Sequence, residues 1–72
     1  MQVNKNIESE MEPKTLELLE KENMPLSIGF VAFNLKITWQ TARALLLKMS
    51  LTGKITALET SKGFMFQKKQ GN

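Results

Sequence analysis

The chain has 72 residues, 42% of them hydrophobic and 24% charged, and a net charge of +3. This length allows one small domain with a modest core. The sequence contains no cysteine, histidine, aspartate or tyrosine. Disulfides, thiolate or histidine metal sites and histidine-dependent nucleophilic triads are therefore excluded. Only glutamate and lysine remain as proton-transfer groups, so we expect a protein that is not an enzyme and that uses no metal and no cofactor.

Two further features concern the cellular setting. No apolar run approaches the ~20 residues that span a bilayer. Residues 1–11 are too polar and acidic for a signal peptide. Together with the absence of cysteine, these features favour a cytoplasmic protein.

Charge is distributed unevenly along the chain. Residues 1–24 contain three lysines and six glutamates, a net charge of −3. Residues 25–72 contain six lysines and one arginine against one glutamate, a net charge of +6. A basic segment of this kind indicates a polyanionic partner. The alternative is an ordinary set of solvated lysines on a small domain.

The first predicted helix begins at Pro13. Residues 1–12 have no clean periodicity and are predicted to form a mobile or partly helical arm. Proline suits the first helical turn, and Glu12 complements the positive end of the helix dipole. Asn23 and Pro25 end the helix. Its apolar face consists of Leu16, Leu18 and Leu19.

Two more helices follow, joined by a tight turn. Ser27 is the predicted N-cap of the second helix, and Thr38 is the N-cap of the third. Ile37 packs inward between them, and Gly53 stops the third helix. The apolar positions at helical spacing are Ile28, Val31, Ala32 and Leu35, and then Ala42, Leu45, Leu46 and Met49.

Beyond Gly53 the apolar period changes from helical to alternating. Residues 55–58 and 64–67 are predicted strands, and the turn-forming residues 59–63 join them into a β-hairpin. Residues 68–72 form a basic polar tail. The predicted fold is therefore α+β and mainly helical, with one domain over residues 13–67.

This order of elements resembles the winged helix-turn-helix domains of prokaryotic (bacterial, archaeal or viral) transcription regulators. The most specific residues are a small side chain midway through the second helix, Ala32, and the apolar positions Val31, Leu35, Ile37, Ala42 and Leu45. The resemblance implies three helices followed by a β-hairpin wing, and binding to double-stranded DNA. Such turns often carry glycine, but here the matching residue is Lys36. Either the lysine adopts the left-handed conformation at a cost of about 1 kcal/mol, or the turn has another shape.

The third helix is the expected recognition helix. At about 100° per residue, Gln40, Arg43, Ala44 and Leu47 point away from its apolar side. Gln40 suits adenine, and Arg43 suits guanine or a phosphate. Trp39 has two interpretations, a contact to a sugar or thymine methyl group and a structural position folded over the helix pair. The predicted DNA-binding residues of this helix are Thr38, Trp39, Gln40, Thr41, Arg43, Leu47 and Lys48.

The remaining predicted contacts lie outside the third helix. Lys54, Lys62, Lys68 and Lys69 are predicted to contact DNA from the wing and the tail. Ser27 is predicted to cap its helix near a phosphate. A dimer surface is predicted from Ile7, Met11, Phe30 and Phe33, which are apolar residues that the predicted core does not need.

The expected function is a small, nucleoid-associated transcription regulator that binds specific duplex DNA, as a homodimer, and acts by occupying its site. The alternative is a winged-helix module that binds other proteins and not DNA. Ala44, Leu47 and Leu51 favour the alternative, because they are apolar residues on the outward side of the third helix and leucine reads no base hydrogen bonds. RNA is disfavoured because no strand interleaves aromatic and basic residues.

Overall fold

A computed structural model describes the backbone of residues 3–69 and the side chains from Glu10 onward. Three helices and a three-stranded antiparallel sheet make up the fold, which is α+β as predicted. The strand order is β1-β3-β2. The elements are α1 (Val3–Glu22), β1 (Leu26–Ser27), α2 (Ile28–Leu35), α3 (Trp39–Leu51), β2 (Ile55–Thr60) and β3 (Gly63–Lys68). No helix within residues 3–69 combines the length and the apolar character needed to cross a membrane.

The core lies between the helices and one face of the sheet. The predicted apolar faces of α2 and α3 are confirmed, because Val31, Ala32 and the four predicted residues of α3 are buried. The sheet contributes Leu26, Ile55 and Phe66, and Phe66 is fully buried. The main buried cluster is Leu19, Leu26, Val31, Leu45, Leu46, Met49, Ile55 and Phe66.

Helix α1 begins at Val3, so the prediction that Pro13 lies in its first turn is wrong. Of the two alternatives for residues 1–12, the partly helical one agrees with the structure from Val3 onward. Inside a helix, proline removes one main-chain hydrogen bond and its ring crowds the carbonyl four residues earlier, so the helix has to be stabilised by other contacts. The turn before Pro13 is held on the domain by two contacts. Met11 packs against the core, and Glu12 Oε1 accepts a hydrogen bond from Lys54 Nζ at 2.7 Å. Glu12 is therefore in mid-helix rather than beside the positive end of the dipole.

The end of α1 is as predicted, but the strand that follows it was not predicted. Asn23 adopts a positive φ of 52° and its N–H donates to the Leu19 carbonyl at 2.9 Å, which closes the last turn. Leu26 and Ser27 then pair with Phe66 and Met65 of β3. A strand of two residues is too short to show an alternating apolar pattern in the sequence. Only its pairing with the distant hairpin defines it.

The turn between α2 and α3 contains a left-handed lysine. Lys36 has φ 59° and ψ 44°. Its N–H donates to the Phe33 carbonyl at 3.3 Å, and the next N–H, of Ile37, donates to the Ala32 carbonyl at 3.0 Å. Of the two alternatives open from the sequence, the chain takes the strained lysine. Ala32 and Ala42 are both buried, as a close approach of the two helices requires.

The end of α3 is a Schellman motif built on Gly53. Gly53 has φ 81°, and its N–H donates to the Ser50 carbonyl at 3.2 Å. The N–H of Lys54 donates to the Met49 carbonyl at 2.9 Å. These bonds satisfy two of the last carbonyls of the helix, and the predicted stop is confirmed.

The hairpin is longer than predicted at both ends. β2 extends to Thr60 and β3 begins at Gly63, which leaves Ser61 and Lys62 as the loop. The Thr60 hydroxyl donates to the Gly63 carbonyl at 2.7 Å and accepts from the Lys62 N–H at 3.1 Å. Glu59, Thr60 and Gly63, which were predicted to lie in the turn, are therefore the ends of the two strands. Lys68 is also in β3, opposite Ile55, and not in a tail.

Candidate nucleic-acid interface

The first turn of α3 is capped by two threonines. Thr38 Oγ1 accepts the Thr41 N–H at 3.1 Å and donates its own proton to Thr41 Oγ1 at 2.8 Å. The predicted N-cap is therefore confirmed. Because the Thr38 proton is used internally, the hydroxyl proton left for an outside acceptor is that of Thr41.

One side of α3 faces solvent over its first two turns. Gln40, Arg43 and Ala44 are exposed, and Trp39 is 52% exposed. Gln40 and Arg43 are three residues apart and are therefore neighbours on the helix surface. Within residues 3–69 neither side chain has a hydrogen bond or an ion pair. Because half of the Trp39 side chain is exposed, the ring does not fold fully over the helix pair, and its contact with DNA stays a prediction.

Leu47 does not belong to this exposed side. It is partly buried and packs against the core cluster, so the prediction that it points outward is wrong. Its contact with DNA stays a prediction. A helical wheel places backbone positions, whereas a leucine side chain leans back along the helix and reaches apolar neighbours beside it. Lys48 is exposed, and Leu51 at the end of α3 is 86% exposed.

The four predicted wing and tail lysines do not form one group. Lys62 is exposed in the hairpin loop. Lys68 is half-buried opposite Ile55, at the other end of the hairpin. The strand from Gly63 to Lys68 rises ~3.4 Å per residue, so Lys68 lies about 17 Å from the loop end of the hairpin. Lys69 Nζ lies 3.8 Å from the position that a Cβ on Gly53 would occupy, so it is also at the hairpin base. The tip therefore offers a single lysine.

Lys54 is already engaged. Its Nζ lies 2.7 Å from Glu12 Oε1, with 48% of the lysine side chain and 21% of the glutamate side chain exposed. The pair connects α1 to the start of the hairpin. Since the glutamate neutralises the lysine, Lys54 is a weaker candidate for a phosphate contact than the sequence indicated.

The predicted dimer surface is only partly available. Phe30 is 40% exposed and Phe33 is 82% exposed, both on α2. Met11 instead packs against the core, which removes it from a free surface. The side chain of Ile7 lies outside the described residues. Ser27 is confirmed as the N-cap of α2, since its hydroxyl accepts the Phe30 N–H at 3.1 Å. Its proximity to a phosphate stays a prediction.

Most of the charged side chains that follow α2, in residues 36–69, are positive. Glu59 is the one acidic residue among residues 36–69. Within the described part of the chain no three carboxylates come together as a metal site would require. The exposed side of α3 and the hairpin tip thus combine hydrogen-bonding side chains with cations, the combination that nucleic-acid recognition uses.

In comparisons with known proteins, no family model, no curated protein and no solved structure matches the chain.

Proposed function

We propose that this chain is a winged helix-turn-helix protein that binds specific sites in double-stranded DNA and regulates transcription by occupying them. In this proposal α3 enters the major groove and the β2–β3 hairpin is the wing. The observation that carries the proposal is the exposed first half of α3, where Gln40 and Arg43 are adjacent and have no partner within residues 3–69.

The chemistry of these two side chains suits base edges. The glutamine amide matches the N6 and N7 groups of adenine, and the arginine guanidinium matches O6 and N7 of guanine. Trp39, beside them at the helix start, offers an apolar ring edge for a sugar or a thymine methyl group. Backbone N–H groups at the start of α3 and the Thr41 hydroxyl suit a phosphate.

Position and charge support the same proposal. The left-handed turn at Lys36 holds α3 across α2, and the hairpin begins two residues after the Schellman glycine. Lys62 at the hairpin tip suits the phosphate backbone or the minor groove and supplies charge without reading sequence.

Leu51 supports a second candidate function, a protein-interaction module. It is 86% exposed on α3, where a helix that binds only DNA gains nothing from a leucine. The partial burial of Leu47 weakens this candidate, because Leu47 packs against the core and the exposed apolar residues on the outward side are reduced to Ala44 and Leu51.

The decisive experiment is selection from random duplex DNA, followed by binding of the selected and of a scrambled duplex at two salt concentrations. We expect the selected duplex to bind about 10³-fold or more tightly, and both affinities to fall as salt rises. Equal affinities for the two duplexes would leave nonspecific binding only. No binding to either duplex would favour the protein-interaction module.

A homodimer is part of this proposal. One domain of this size covers one half-site, and high specificity normally uses two half-sites about one helical turn apart. The sequence-based surface for the dimer is reduced to Phe30 and Phe33 on α2, and these stay a prediction.

A further inference from the structure

Strand β2 forms an open edge of the sheet. It pairs with β3 on one side, and within residues 3–69 no strand lies on its other side. The opposite edge, β1, has two residues, whereas β2 has six. Pairing of β2 with β3 runs without a bulge from Ile55 opposite Lys68 to Thr60 opposite Gly63.

The backbone groups on this edge follow from the hairpin. In an antiparallel ladder, residues bonded to the neighbouring strand alternate with residues whose N–H and C=O point away. Thr60 and Gly63 close the two-residue loop as a hydrogen-bonded pair. Leu58 consequently also faces β3, while the N–H and C=O groups of Ala57 and Glu59 point to the open edge. Within the described chain no acceptor takes a hydrogen bond from these two N–H groups on that side.

The edge has little of the usual protection against pairing. Natural edge strands are commonly blocked by lysine, proline, a bulge or short length. The sequence of β2, Ile-Thr-Ala-Leu-Glu-Thr, has no lysine, proline or bulge and is six residues long, and its one charged residue is Glu59 near the hairpin loop. Three of its six residues, Ile55, Thr56 and Thr60, are of types that fit a paired, half-buried sheet surface.

We infer that β2 pairs antiparallel with β2 of a second copy of this chain, about a two-fold axis at Leu58. The axis is perpendicular to the sheet, so each residue must pair with one whose side chain lies on the same face. With Leu58 on the axis, Leu58 faces its own mate, Ala57 faces Glu59 of the second copy, and Thr56 faces Thr60 of the second copy. The result is one continuous six-stranded sheet.

This register is favoured over its two neighbours by charge and burial. An axis at Glu59 would place two carboxylates directly opposite each other, which is unfavourable. An axis at Ala57 would place Glu59 opposite Ile55, which is 3% exposed in the core. The axis at Leu58 avoids both, and it gives a Leu–Leu contact at a non-hydrogen-bonded pair, where side chains approach closely.

The outer face of the sheet gains from the same pairing. Leu58 and Met65 lie directly opposite each other, are both half-buried, and do not belong to the core cluster. Pairing of two copies joins the two Leu58–Met65 pairs into one apolar strip across four strands. An edge contact is small beside the ~1,600 Å² of a standard interface, so we expect a weak, concentration-dependent dimer. This inference concerns self-association and does not rest on DNA binding.

The α2 aromatics are the competing surface. Phe30 and Phe33 offer apolar area but no unpaired backbone groups, and nothing on that helix sets the orientation of a partner. The edge of β2 specifies partner direction, register and hydrogen bonds. An experiment on the dimer must therefore distinguish these two surfaces.

Amide hydrogen exchange of the unmodified protein tests the pairing directly. We expect protection of the Ala57 and Glu59 amides to rise between ~20 µM and ~1 mM protein, while the Leu58 amide, bonded within the hairpin, is protected at both concentrations. Unchanged exchange at Ala57 and Glu59 across this range would overturn the inference.

Sedimentation equilibrium of three variants locates the interface. Leu58→Lys places two like charges at the axis, and we expect it to raise the dimer Kd by at least about tenfold. Met65→Lys puts the same charge on the same face but one strand farther from the axis, so we expect it to raise the dimer Kd less than Leu58→Lys does. Phe33→Glu, on α2, should change the dimer Kd less than about threefold. Thermal melts of each variant separate weaker association from loss of folding.

Three sedimentation results would contradict the pairing. A parent protein that is monomeric throughout the range excludes the second copy. Equal losses for Leu58→Lys and Met65→Lys would indicate association through the outer face of the sheet. A dimer broken by Phe33→Glu alone would assign the interface to α2. If Leu58→Lys fails to fold, the amide exchange of the parent protein still decides the question.

Discussion

At the scale of single residues, Lys36 is the clearest site of backbone strain. Its φ of 59° is in the left-handed region, which costs a side chain with a Cβ about 1–2 kcal/mol. The turn accepts this cost because it satisfies the carbonyls at the end of α2 and directs the chain into α3. The position is therefore a place where sequence preference and tertiary structure conflict.

We predict that Lys36→Gly stabilises the protein by about 0.5–1 kcal/mol, since glycine removes the left-handed penalty and loses part of the gain to the entropy of the unfolded chain. Lys36→Ala is the matched control, because it removes the charge and keeps the penalty. Urea unfolding measures both. A glycine variant no more stable than the alanine variant would mean that the turn is not strained.

In the proposed complex, recognition of the DNA sequence depends most on Arg43. We predict that Arg43→Ala weakens binding to the selected duplex by about 1–3 kcal/mol and relaxes the preference at one base pair, because a bidentate contact to guanine is lost. Titrations of the selected and scrambled duplexes measure this difference. An equal loss on both duplexes would make Arg43 a phosphate contact. Ala44→Ser, on the same exposed side, is a control for changes that only alter the helix surface.

At the scale of elements, the hairpin separates its charges by position. Lys62 is at the tip, while Lys68 and Lys69 are at the base, and Lys54 is paired with Glu12 of α1. The exposed ion pair itself contributes at most about 1 kcal/mol. Its larger consequence is that α1 and the hairpin base are joined, whereas Lys62 at the tip has no ion pair within residues 3–69.

We predict that Lys62→Gln lowers affinity for every duplex and reduces the slope of log K against log salt by about one unit, as loss of one phosphate contact requires. Lys14→Gln is the matched control, since it makes the same change of charge on α1, outside the proposed interface. The measurement is binding at four or more salt concentrations. An unchanged slope for Lys62→Gln would place the wing tip away from DNA.

At the scale of the whole molecule, DNA binding by α3 and pairing through β2 together predict the stoichiometry of the protein–DNA complex. If β2 joins two copies, a selected site should have two-fold symmetry and bind two chains. We predict that Leu58→Lys keeps affinity for a half-site duplex within about threefold and loses at least about tenfold on the full site, because the second domain no longer binds as part of a dimer. Phe33→Glu, on α2, should behave like the parent protein.

Binding titrations with half-site and full-site duplexes, together with the mass of each complex, measure this. Loss on the half-site as well would mean that Leu58→Lys damages the DNA-binding surface. A parent complex with one chain per site would contradict the dimer while leaving DNA binding by α3 intact.

The sequence by itself determined the features that depend on local pattern. The apolar spacing of α2 and α3 identifies their buried faces, because helical periodicity and burial share a cause. The caps at Ser27 and Thr38 and the stop at Gly53 follow from side-chain and backbone chemistry within a few residues. The exposure of Gln40 and Arg43 follows from the same helical spacing.

Only the tertiary structure decided the features that depend on distant contacts. Pro13 lies inside α1 because Met11 and Glu12 have partners in the core and on Lys54. β1 exists because Phe66 and Met65 pair with it. The left-handed form of Lys36, the partial burial of Leu47 and the open edge of β2 likewise depend on which elements pack together. Local preference differs by about 1 kcal/mol between such alternatives, and burial of a core side chain contributes more than that, so packing decides.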